Sequence, residues 1–133
     1  MKYTEPKIFH IAQTMLDIAG ADDWIEYLGV PHWSSDARSD VEWLIELAGR
    51  RCYKSFETED VPVGQLNPNI SKVRKSNEAY IGNILRVGHG SVIEHAYDTY
   101  AIEGVTRVFT HEIVRHRLCN FSQESLRFVR PTA

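Results

Sequence analysis

A chain of 133 residues suits one domain with a real but modest core. Apolar content of 43% and charged content of 25% describe an ordinary soluble globular chain, and a net charge of −3 excludes general nucleic-acid binding, so any basic cluster must be local. No apolar run approaches the ~20 residues that span a membrane, Met1-Lys2-Tyr3-Thr4-Glu5-Pro6 lacks the apolar core of a signal peptide, and Cys52 and Cys119 give neither a disulfide framework nor metal-ligand spacing, so the cytoplasm is the expected location.

Residues 7–16, opening Lys7-Ile8-Phe9-His10-Ile11-Ala12, alternate partially and predict an early strand. Trp24, Ile25, Tyr27 and Leu28 predict a helical turn closed by Gly29 and Pro31, lying over the core or against a subunit surface. Ser39 or Asp40 caps a helix whose Val41, Leu44, Ile45 and Ala48 follow helical spacing. Arg50 and Arg51 fall near its end, where cations suit the helix dipole, and Cys52 reads as a small buried hydrophobe. Residues 58–68 hold two prolines and a glycine and predict a loop. Asn69 or Ser71 starts a second helix with Tyr80, Ile81, Ile84 and Leu85 on one face and Gly88 as its stop. Tyr97–Glu103 predicts a strand broken at Gly104. A basic helix over 105–118 follows, then a polar loop at 119–125 and a short strand from Leu126 to Val129. Helices and strands mix without βαβ alternation, which predicts a single α+β domain with a small, mainly antiparallel sheet.

The chemistry concentrates between Arg115 and Arg127. This stretch carries Arg115, Arg117 and Arg127, the ring of His116, the hydroxyls of Ser122 and Ser125, and the amides of Asn120 and Gln123, with Glu124 as its one acid. Forked arginine donors match phosphates and carboxylates, so the stretch suits an anionic, planar ligand. On a helix through 105–118, Val105, Val108, Phe109 and Ile113 form an apolar stripe, and Arg107, His111 and Arg115 step along another side. That row is either a solvated basic face or a set of donors for phosphate.

Other chemistries fit less well. His111 and His116 are five residues apart, about 140° around a helix turning 100° per residue, whereas a zinc motif needs its histidines at i,i+4. Cys119, close in sequence to Arg115 and Arg117, is a further candidate nucleophile. Ser125 has no evident general base in sequence. His89 to His95 reads either as a capped turn or, through Gly90 and Ser91, as a close backbone approach to a phosphate.

Arg115-His116-Arg117, followed by seven residues and Ser125, resembles the signature of the flavin-dependent thymidylate synthases. The resemblance extends to Gly88-His89-Gly90-Ser91-Val92-Ile93-Glu94-His95, Thr110-His111-Glu112-Ile113-Val114, Leu66-Asn67-Pro68-Asn69 and Leu126-Arg127-Phe128-Val129-Arg130, covering residues 45–130. It implies that Ser91, Arg115, His116, Arg117 and Gln123 meet FAD. It implies equally that Glu112, Arg115, Gln123, Glu124, Ser125, Leu126 and Arg127 hold dUMP, with Glu112 facing the uracil and Arg127 on the phosphate. Cys119 lies outside that motif, no residue of this chain is assigned a catalytic role, and no metal is implied.

The implied reaction methylates dUMP to dTMP with methylenetetrahydrofolate and NADPH in a homotetramer, without nucleic acid or membrane. Glu112 where many members carry Gln, Asn120 for a common Ser, and Phe128 for a frequent Tyr leave open a related C5 modification of UMP. Family members continue well beyond the motif, so the resemblance also implies that this chain is an N-terminal portion with part of a site, or a non-catalytic flavin- or nucleotide-binding remnant.

Overall fold

The computed structural model describes residues 5–56, 67–70, 72–116 and 118–129. Residues 58–66 of the loop expected at 58–68, the alternative helix start Ser71, and Arg117 therefore lie outside the described residues. The chain forms two compact units: residues 12–99, and residues 1–11 together with 100–133.

In the 12–99 unit, helix α1 (Ile18–Tyr27) begins where the Asp17 carboxylate accepts the Gly20 amide, so it is a full helix rather than the single turn expected. Its Ile25, with Leu28, Val30, Trp33, Leu47 and Phe56, forms one apolar cluster. Helix α2 (Asp40–Tyr53) is capped by Ser39, whose hydroxyl accepts the Glu42 amide at 3.3 Å. It ends at Lys54 in a left-handed conformation, φ 47°.

Helix α3 (Asn77–Val87) starts later than the spacing predicts. Asn67 turns the chain first, its side chain accepting the Asn69 amide and its carbonyl the Ile70 amide, so no helix begins there. Ser76 supplies the actual cap. Gly88 stops α3 with φ 72°, as expected. A 3-10 turn, Gly90–His95, follows and packs with α3 on α2. Ile45, Tyr80, Ile84 and Val92 make the second apolar cluster from these three elements. Leu85 is 63% exposed, off the face that Tyr80 and Ile84 bury. Cys52 is exposed, not buried, because it sits two positions, about 200°, beyond the inward-facing Arg50.

A polar network joins the two clusters. Glu46 and Arg50 are 1% and 2% exposed and form an ion pair one helical turn apart, Nη2 to Oε1 2.6 Å. Arg50 also donates to the carbonyls of Ser55 and Arg74, and Glu46 accepts from Ser35 and the Asn77 amide. The guanidinium lies over the Tyr80 ring at 4.7 Å. Arg50 is thus a core strut, beyond the dipole role its sequence position suggests.

Strands β1 (Lys7–Gln13) and β2 (Asp98–Glu103) form a two-stranded sheet. His10 stacks on Tyr100 while the Thr14 amide bonds the Tyr97 carbonyl, so numbers rise on one strand as they fall on the other: the pair is antiparallel, and the fold is α+β. Gly104 ends β2 with φ 68°, where a Cβ would meet the Glu5 carbonyl oxygen at 2.6 Å.

Candidate functional site

The 100–133 part of its unit is built around helix α4 (Arg107–Ile113), which Thr106 opens by accepting the Phe109 amide at 3.2 Å. The helix is shorter than the predicted 105–118. The amides of Arg115 and His116 bond to the carbonyls of Glu112 and Ile113, three residues back, so the chain tightens into turns just where the arginine-histidine block begins. Arg115 therefore does not continue the row of Arg107 and His111 along a helix face, and the angle computed for His111 and His116 on one helix does not apply. The expected apolar stripe is not buried either: Val108 is 75% exposed and Phe109 42%.

Beyond Cys119 the chain has no regular secondary structure as far as Ser125. The predicted strand at 126–129 is a turn instead, because the Ser125 carbonyl accepts the amides of both Phe128 and Val129 and its hydroxyl accepts the Arg127 amide at 3.3 Å. Ser125 is half-buried at this turn, and the Arg127 side chain is exposed.

A cleft of about 630 Å³ opens between β2, α4 and this loop. Gln123, Glu124 and Leu126 line it, with Thr110, Asn120 and Ser122 adding hydroxyls and an amide and Phe109 and Phe121 adding rings. Its lining mixes polar and apolar surface in near-equal parts, and a cleft of this size with convergent polar groups is of the kind that takes small ligands. Arg107 also lines it, and its Nη1 donates to the Glu124 carbonyl at 3.5 Å, tying helix to loop. The sequence row of donors contained Arg107, but only the fold reveals this holding role.

The other expected ligand contacts fall elsewhere. Glu112, Arg115, His116, Ser125 and Arg127 belong to the same unit without lining the cleft, Glu112, Arg115 and His116 being exposed. Ser91 is exposed on the 3-10 turn of the 12–99 unit. Among the described residues no group of three or more His, Cys, Asp or Glu is placed to hold a metal ion. No helix among them is long and apolar enough to cross a membrane.

Residues 35–133 match the model of a family described as thymidylate synthase complementing protein. The chain is 46% identical over 101 residues to a flavin-dependent thymidylate synthase of Corynebacterium aurimucosum, covering 76% of this chain and 36% of that relative. It is 38% identical over 119 residues to one of Mycobacterium avium, covering 90% of this chain and 42% of the relative. A third, from Nitratidesulfovibrio vulgaris, is 44% identical over 86 residues, covering 65% and 34%. The chain thus spans between about a third and two fifths of the length of these relatives. With the family model matched over about three quarters of its residues, the chain belongs to the thymidylate synthase complementing protein family.

Proposed function

We propose that this chain carries the flavin- and nucleotide-binding part of a flavin-dependent thymidylate synthase, which methylates dUMP to dTMP with methylenetetrahydrofolate and NADPH. The observation that carries the reading is the cleft of about 630 Å³ that gathers Gln123, Glu124 and Leu126 of the basic motif against α4. Its lining suits a nucleotide. Amide and hydroxyl groups of Asn120, Ser122, Gln123 and Thr110 can pair a pyrimidine edge and a sugar, while Phe109 and Phe121 offer ring faces.

FAD supplies the redox chemistry when bound. The residues that would hold it are Ser91, Arg115, His116, Arg117 and Gln123, a donor set that fits phosphates and ring carbonyls. Those that would hold dUMP are Glu112, Arg115, Gln123, Glu124, Ser125, Leu126 and Arg127. In this account the turn at Ser125 presents Arg127 to the phosphate, and Arg107 fixes the loop so that Gln123 keeps its orientation. The protein groups position and stabilise charge. Glu112 is an acceptor when ionised and would favour a ligand that offers an N–H or O–H, which keeps UMP as the rival substrate.

The reading includes one domain embracing both units, cytoplasmic location and a homotetramer. Support for assembly comes from the unit of residues 1–11 and 100–133, which buries no described side chain fully and exposes Ile8, Phe9, Phe109, Phe121 and Phe128.

Binding of FAD, dUMP and UMP to this chain and to Arg127→Ala tests the proposal. Arg127 contacts the turn through its backbone, so the substitution leaves that bond in place. We expect dUMP binding to weaken by about tenfold or more, roughly 1.4 kcal/mol, with FAD binding little changed. Equal loss of both, or loss of neither, overturns the assignment, and tighter binding of UMP than dUMP moves the substrate to UMP. Tritium release from 5-tritiated dUMP separates an enzyme from a binding remnant, which would release none.

A further inference from the structure

A second cleft, in the 12–99 unit, measures about 220 Å³ and has Arg50, Tyr53, Lys72, Arg74, Asn83 and His89 among its lining. Among the described residues no acidic side chain lines it. Arg50 is neutralised by Glu46 and all its bonding nitrogens are engaged, so it forms the closed inner wall. The available charge comes from Lys72, exposed, and Arg74, half-buried.

The arrangement around Asn83 is the informative feature. Its side-chain oxygen accepts from Arg74 Nη2 and from Arg86 Nη2, each at 2.7 Å. Two guanidinium nitrogens therefore lie within about 5.4 Å of one another, held by one neutral acceptor. Among the described residues neither guanidinium has a carboxylate within ion-pair distance. Like charges so placed repel, the more so where solvent and salt screen them least. An oxyanion between Lys72 and Arg74 would offset that repulsion and accept forked hydrogen bonds from the guanidinium. Asn67 and Asn69, which carry side-chain amides, line the same cleft.

We propose that this cleft is an oxyanion site for a phosphate group, either free phosphate or the phosphate of a nucleotide, separate from the ligand cleft beside α4. It involves none of the residues assigned above to FAD or dUMP, and so stands or falls apart from that assignment. The nucleotide case would add contact with Tyr53 and His89, whose rings stack at 5.0 Å and 19° on the cleft lining.

The test is titration of the full chain with inorganic phosphate at constant ionic strength, followed by two-dimensional proton–nitrogen spectra. We expect saturable shifts at the side-chain amides of Asn67, Asn69 and Asn83 and at Arg74 Nε. Arg74→Gln should weaken the apparent affinity tenfold or more, and Lys72→Ala by several-fold. Arg74 accepts the Arg50 bond through its backbone carbonyl, so that strut survives the substitution. If Arg74→Gln nevertheless fails to fold, Lys72→Ala carries the test alone. Shifts that do not saturate, that match those caused by chloride, or that persist unchanged in the variants overturn the proposal. A nucleoside monophosphate that binds more tightly than phosphate and also moves Tyr53 and His89 identifies the nucleotide as the source; equal affinity identifies free phosphate.

Discussion

Tyr80 is where the core of the larger unit is most exacting. Its ring carries the Arg50 guanidinium, and its hydroxyl packs so tightly on α2 that a Cβ at Gly49 would overlap it. Gly49→Ala should therefore cost about 1–3 kcal/mol, read as a lower midpoint of chemical denaturation. Burial pushes the Tyr80 phenol up to about 12 from its ordinary 10, against the smaller opposing pulls of the Ser55 hydroxyl and Arg50. The unfolded chain thus loses this proton first. The contribution to stability is intact below pH 10 and is lost progressively as pH rises towards 12, by roughly 2–3 kcal/mol. Tyr80→Phe should remove that part of the alkaline decline, and an identical slope in both proteins would refute the assignment. The buried Glu46–Arg50 pair is equally unforgiving. Glu46→Ala leaves a buried cation and should cost about 3–5 kcal/mol. Little of this was legible in the sequence, because an Arg near a helix end reads as a dipole partner until the fold shows what surrounds it.

At the scale of elements, caps decided more than periodicity. Ser39 and Gly88 are local signals, satisfied by bonds to neighbours in sequence, and α2 and the end of α3 fall where they predict. The start of α3 and both ends of α4 do not. Asn67 and Pro68 spend the local bonding capacity on a turn, and Ser76 rather than Asn69 or Ser71 caps the helix. Three-residue bonds at Arg115 and His116 then end α4 before the basic block. A helical pattern can be read across such a turn because the side-chain sequence does not record which carbonyl each amide selects. Thr106→Ala tests the cap of the site helix. It should destabilise by about 0.5–2 kcal/mol and weaken ligand binding at the cleft beside α4, since Arg107 at its first turn holds the Glu124 carbonyl. Unchanged binding would detach the helix start from the site.

For the whole molecule, the two units differ in kind. The 12–99 unit owns both apolar clusters and the buried polar network. The other unit owns most of the residues proposed to touch ligand and fully buries none of its described side chains. The α+β character and the family were readable from the sequence because they rest on residue type and order. The cleft was not, since β2, α4 and the 120–126 loop meet only through the fold. The most direct test of the central claim is the visible absorbance of FAD titrated with this chain, followed by dUMP. The account predicts a perturbed flavin spectrum that shifts again when dUMP is added, the second shift diminished in Arg127→Ala. A flavin spectrum that the chain leaves unchanged, with or without dUMP, would contradict it.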